Sequence, residues 1–156
     1  MKIFKPLFSI YLICCCNSCS NEESTIEIKS NQFSADYDIS GEWARTSVGD
    51  DENSNGLLDN SEIKTGPALS GYDYFRFYAN GKCVYDKDMK FDGTYIIKPE
   101  KDKDAIFIYP DGLPPGMSEK EKDENAMIFR ISAFEKNKLT LKPKHLVTRL
   151  VVYKRI

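Results

Sequence analysis

Apolar and polar residues alternate along this chain in a series of short runs. "YFRFY" (74–78), "AIFIY" (105–109), "MIFRISAF" (127–134), "KLTLK" (138–142) and "RLVVY" (149–153) set large apolar side chains at close to every second position. A period of two, rich in aromatic and β-branched residues, predicts strands with one buried face. Between the runs stand "ANGK" at 79–82, "FDG" at 91–93, "PEKDKD" at 99–104 and "EKNK" at 135–138, read as hairpin connections, with Asn80-Gly81 the strongest. With "SGEWARTSV" (40–48) as the first strand, about eight short strands result. The class is all-β, an antiparallel up-and-down barrel or a sandwich. Closure into a barrel is favoured because it leaves no sheet edge open to pairing with another chain.

Two stretches interrupt the alternation. "YPDGLPPGMSEKEKDEN" (109–125) is longer than a hairpin needs, and "SEKEKDE" within it predicts a helical turn capped by Ser118, either covering one mouth of the barrel or standing as an exposed insertion without a role. The second, "DENSNGLLDNSE" (51–62), meets the calcium-loop pattern at Asp51, Asn53, Asn55, Gly56 and Glu62. In such a loop alternate side chains turn oxygens inward and the glycine permits the sharp turn. Leu57 supplies a carbonyl, Asp59 holds a bridging water, and Glu62 closes the shell with two oxygens. The flanks are not those of a helix-loop-helix hand, since a strand precedes the loop and Gly66-Pro67 stops any helix after it. The expectation is a lone calcium loop with a short helical turn at "DNSEIK", structural in role and weak in affinity; a polar turn without metal is the alternative.

The N-terminus fixes the expected compartment. Lys2 and Lys5 precede an apolar run from Leu7 to Cys16, broken only by Ser9 and too short for a membrane span, and small polar residues follow. Four of the 5 cysteines, at 14, 15, 16 and 19, crowd the end of this run. The arrangement resembles the lipobox of bacterial lipoproteins, which implies removal of residues 1–18 and acylation of Cys19 after the small Ser18. Cys16 and Asn17 depart from the usual pattern, so Cys14, Cys15 and Cys16 stay open as acylation sites, and an ordinary secreted protein is the plainer alternative. "SNEES" after Cys19 resembles surface-export tags of some Gram-negative lipoproteins. These resemblances imply a bacterial cell-envelope protein held by lipid, most simply at the outer membrane. Residues 19–38 read as a tether, with "TIEIK" (25–29) able to pair as an edge strand, and residues 39–156 read as one domain.

Gly41-Glu42-Trp43 resembles the G-x-W signature that opens the first strand of lipocalins and related calycins. The order of the later runs is similar to the lipocalin-like domain of small bacterial lipoproteins. That resemblance implies that Trp43 closes one end of the barrel beneath an Arg of the last strand, for which Arg149 and Arg155 are the candidates.

Charge and chemistry narrow the function. The chain has 22 Lys and Arg, of which Lys2 and Lys5 leave with the leader, against 24 Asp and Glu, so no basic footprint for nucleic acid remains. His145 is the single histidine, Cys83 sits within a strand-like run, and no nucleophile, phosphate or zinc motif occurs. The expectation is therefore not an enzyme. Two classes compete: a barrel that takes a small apolar or amphipathic ligand in its interior or mouth, and a side-chain-filled barrel that serves as an anchored interaction module for a protein or glycan partner. The 9 Phe and 9 Tyr supply enough bulk to favour filling.

Overall fold

The alternating runs become eight antiparallel strands, each hydrogen-bonded to the next and the last to the first. They are β1 (Gly41–Asp50), β2 (Tyr74–Phe77), β3 (Lys82–Tyr85), β4 (Phe91–Glu100), β5 (Lys103–Pro110), β6 (Met127–Glu135), β7 (Lys138–Pro143) and β8 (Arg149–Arg155), with one helix, α1 (Glu119–Asn125), between β5 and β6. The computed structural model describes residues 37–64, 73–86 and 88–156. The expected leader, Cys19, the greater part of the tether and "TIEIK" lie outside the described residues. The architecture is the closed up-and-down barrel predicted from the alternation, lipocalin-like in its strand order.

Register decides which side chains face the lumen. Trp43, Phe75, Phe77, Ile106, Ile108, Phe129, Leu139, Leu141, Val151 and Tyr153 all belong to one buried cluster. An eight-stranded barrel encloses a space just wide enough for side chains to fill or for one small ligand. Phe75 on β2 fills it, its ring centroid lying 5.3 Å from that of Phe129 on β6 and 5.2 Å from that of Tyr153 on β8. In a ring of eight, β2 and β6 stand opposite, so this contact crosses the lumen. Phe77 extends the aromatic layer to Tyr95 on β4, 4.8 Å away.

One end of the barrel is closed around Trp43, which is wholly buried. Its Nε1 donates to the Ile39 carbonyl at 2.7 Å, so burial leaves no indole N–H unpaired. The Arg155 guanidinium lies 4.7 Å over the ring and donates from Nη2 to the Asp38 carbonyl. Tyr37 stands edge-on to Phe134, which in turn packs on Trp43. Arg149 lies at the opposite end of β8 and pairs with Asp50.

Three readings of the connections are corrected by the structure. "FDG" is not a turn but the start of β4, and the chain reverses earlier, where Asp86 and Lys90 have φ of +65° and +53°. Gly93 is in the strand for another reason: a Cβ there would stand 2.6 Å from the Tyr109 carbonyl oxygen, so its absence lets β4 and β5 approach. "PEKDKD" shrinks to a turn at Lys101 and Asp102, because Glu100 and Lys103 are already paired. The 109–125 excursion does form a helix capped by Ser118, with the reciprocal Glu121 contact of a capping box. It lies on the outer wall of β5 and not across a mouth. Asp123 holds it there by accepting from Tyr109 Oη and Lys98 Nζ, and Ala126 and Ile128 pack on the outward-facing Ala105 and Phe107. Covering by this segment explains why β5 is buried on both faces.

Cys83 faces the core, where burial first, and then the charges of Asp111 and Asp92, push its thiol up to about 12. It stays a protonated, unreactive thiol at neutral pH. The closed end makes a direct prediction. Trp43 emission should be blue-shifted in the native protein and move red on unfolding, and Trp43→Ala should lower stability by about 3–5 kcal/mol in denaturant titration. Native emission at the wavelength of free tryptophan would contradict this packing.

Candidate functional site

The segment after β1 folds into a ring held by its own polar side chains. Glu62 is its hub, although only 5% exposed. Glu62 Oε1 accepts from the backbone N–H of Glu52 and Asn53, and Oε2 accepts from that of Asp59 at 3.0 Å. These bonds, with Asp59 foremost, hold the Glu62 carboxyl below the usual carboxylate range. Asp51 Oδ2 accepts from Gly56 N at 3.1 Å. Asn53 and Asn55 each accept from the N–H two residues on, and Asn53 Nδ2 donates to Asp59 Oδ2. Ser54 and Gly56 carry the left-handed backbone that this ring requires.

The ring is fastened at both ends. Asp51 N donates to the Thr148 carbonyl, and beyond the loop Ile63 bridges Gly49 while Lys64 N donates to Val48 O. The expected helical turn at "DNSEIK" is therefore a turn followed by a β-bridge. Gly49 is the sequence condition for this return, since a Cβ on it would stand 2.1 Å from the Glu62 carbonyl oxygen. Lys64 and Arg149 both pair with Asp50, and together they hold its carboxyl at about 2.

As a donor set for calcium the loop fits in kind. The sequence-predicted residues Asp51, Asn53, Asn55, Leu57, Asp59 and Glu62 lie on one ring, and all offer oxygen, the donor a hard divalent cation needs. Asp51 is 4% exposed, and its Oδ1 is buried without a hydrogen-bond partner, an oxygen left open to a cation. Glu62 differs, because both of its oxygens already serve backbone N–H groups. Among the described residues no three carboxylate, imidazole or thiol side chains gather into a metal-sized cluster. Any shell here would accordingly lean on amide and carbonyl oxygens.

The outside of the same loop forms a second feature. Leu150, Val152 and Thr140 point outward by register, yet all three are buried. The loop crosses the outer wall near them: a Cβ on Gly56 would lie 4.0 Å from Ser132 on β6, and Leu58 reaches Gly49. Below the loop runs a groove of about 650 Å³. Leu57, Leu58 and Ile63 form one rim, Val152 and Thr140 the floor, and the β6–β7 turn with Lys136 and Lys138 the far side. Sequence reading missed this groove, for which the available signal was the pair of leucines inside an otherwise polar loop.

No family model matches the chain, and no curated protein matches it. Solved structures similar to it include a DUF4847 family protein from Bacteroides vulgatus, at 17% identity and TM-score 0.45, over 74% of this chain and 92% of that one. Another is a lipocalin-like protein from Bacteroides uniformis, at 17% identity and TM-score 0.46, over 77% and 100%. A third is an uncharacterized protein from Bacteroides eggerthii, at 14% identity and TM-score 0.42, over 75% and 98%. The barrel itself rests on this chain's own strand register.

Proposed function

We propose that this chain is a non-catalytic, lipid-anchored envelope protein whose barrel is filled by its own side chains and whose recognition surface lies on the outer wall, with Asp51–Glu62 as a structural calcium loop. The observation that carries the reading is the contact of Phe75 with Phe129 across the lumen, reinforced by Tyr153. A ligand inside the barrel would have to part rings that are fully or almost fully buried. The leader pattern supports the anchor, and the partnerless Asp51 Oδ1 supports the cation.

The filled lumen is tested with benzene, a probe that enters an apolar cavity once one exists. Benzene should leave the melting temperature and core methyl resonances of the wild-type chain unchanged. In Phe129→Ala it should raise the melting temperature and shift the resonances of Ile106 and Leu141. Saturable benzene binding to the wild-type core would return the interior to ligand binding.

Calcium should raise the melting temperature, by a stabilisation of about 1.4 kcal/mol at tenfold over its dissociation constant, itself expected near 10⁻⁴–10⁻³ M. Glu62→Gln should lower the melt even in chelator, because the loop loses hydrogen bonds, whereas Asp51→Asn should chiefly remove the calcium-dependent part. Equal melts in calcium and in chelator would end the cation reading. For the anchor, labelled palmitate should enter the wild-type chain and be lost from Cys19→Ala; label retained in that variant moves the site to Cys14, Cys15 or Cys16.

A further inference from the structure

Resting on the reading of a filled barrel with outward recognition, we infer that the outer-wall groove binds a small amphipathic carboxylate, its aliphatic part against Leu57, Leu58 and Ile63 and its head at Lys136, Lys138 and Lys154. Both halves of the groove are unusual in themselves. Leu57 and Ile63 are 46% and 38% exposed on a loop that, apart from them and Leu58, is polar or glycine. At the other end Lys138 and Lys154 stand directly opposite each other on adjacent strands, with both side chains outward. Like charges in that position repel and weaken the sheet unless an anion lies between them.

The lysines have little competing company. Among the described residues ion pairs form at Lys64, Lys98, Lys120, Lys122 and Lys144, and none at Lys136, Lys138 or Lys154. Glu135 stands across the turn from Lys138 without reaching ion-pair distance, and Asp59 on the opposite rim is held by Asn53. Lys136, Lys138 and Lys154 therefore outnumber the carboxylates of the groove and have charge to offer a head group.

Shape and chemistry select the class of ligand. The volume of about 650 Å³ suits a small molecule, for which sites of roughly 300–1,000 Å³ are usual. A sugar is disfavoured because its faces stack on exposed aromatic rings, and Tyr153, the one aromatic residue in the lining, is wholly buried. An added peptide strand is disfavoured because β7 and β8 are paired on both sides and leave no edge to extend.

The test is titration calorimetry with dodecanoate below its micelle concentration, alongside amide and methyl chemical shifts. One saturable site is expected, with perturbations at Leu57, Ile63 and Val152, and weaker binding at high salt as the lysine field is screened. Lys138→Ser with Lys154→Ser, both exposed positions that leave the core untouched, should weaken binding about tenfold. Leu57→Ser should also weaken it, and uncharged dodecanol should bind less well than dodecanoate. No saturable binding, with core resonances unmoved, overturns the groove inference and leaves the filled barrel standing. Dodecanoate binding that ignores the lysine and leucine variants but shifts the core methyls of Ile106 and Leu141 overturns the filled-barrel reading itself. An acidic aliphatic peptide that binds through Lys138 and Lys154 where dodecanoate does not would make the occupant a protein segment and overturn the small-ligand assignment.

Discussion

Phe75 sets the terms for the rest of this protein. A closed sheet satisfies its backbone hydrogen bonds around the ring, but it must then fill a lumen whose diameter the strand number has already fixed. Phe75 meets that demand from one side and Phe129 from the other, with Tyr153 between their strands. On the filled-barrel reading proposed above, the inward faces would have little left to offer a ligand. On the same reading, recognition would fall to the outer wall and to the long connections.

Both long connections respond in the same way, by folding down over the wall. The excursion after β5 covers Ala105 and Phe107 through Ala126, beside Ile128 of β6, and through the Asp123 contacts. The loop after β1 lies beside Val152 and Thr140, which line one groove with Leu57, Leu58 and Ile63. Each depends on a position without a side chain or with a special backbone: Gly49 admits the returning Glu62 carbonyl, and Gly93 admits the neighbouring strand on which the α1 segment rests. A polar cross-link completes each fastening. Asp50 with Lys64 and Arg149 fixes one, and Asp123 with Lys98 and Tyr109 fixes the other. Exposed ion pairs contribute little alone, so it is the apolar surface beneath them that supplies most of the stability.

How much of this could be read in the sequence follows from the range of each signal. Strand periodicity is local, and every alternating run became a strand in the expected order. Turn chemistry is local as well, but "FDG" shows its limit. Asp and Gly favour turns in general, while Gly93 is glycine because Tyr109, far along the chain, leaves no room for a Cβ. The pattern at 51–62 was legible as a polar loop, in which Asp51, Asn53 and Asn55 accept from backbone N–H groups of the same segment. Its outer face was not legible: Leu57 faces residues of β7 and β8 that are distant in sequence, and only closure of the barrel brings them together. Lys138 and Lys154 likewise become neighbours through register alone.

The loop illustrates how a metal-like sequence can also be held by its own hydrogen bonds. Glu62, the residue that would close a calcium shell, spends both oxygens on the N–H groups of Glu52, Asn53 and Asp59. Those bonds place the ring, and with it the rim of leucines over the outer wall. A cation would then gain chiefly from Asp51 Oδ1 and the amide oxygens of Asn53 and Asn55, and it would compete with hydrogen bonds that the loop already makes. Weak affinity follows from that competition as much as from the small number of carboxylates.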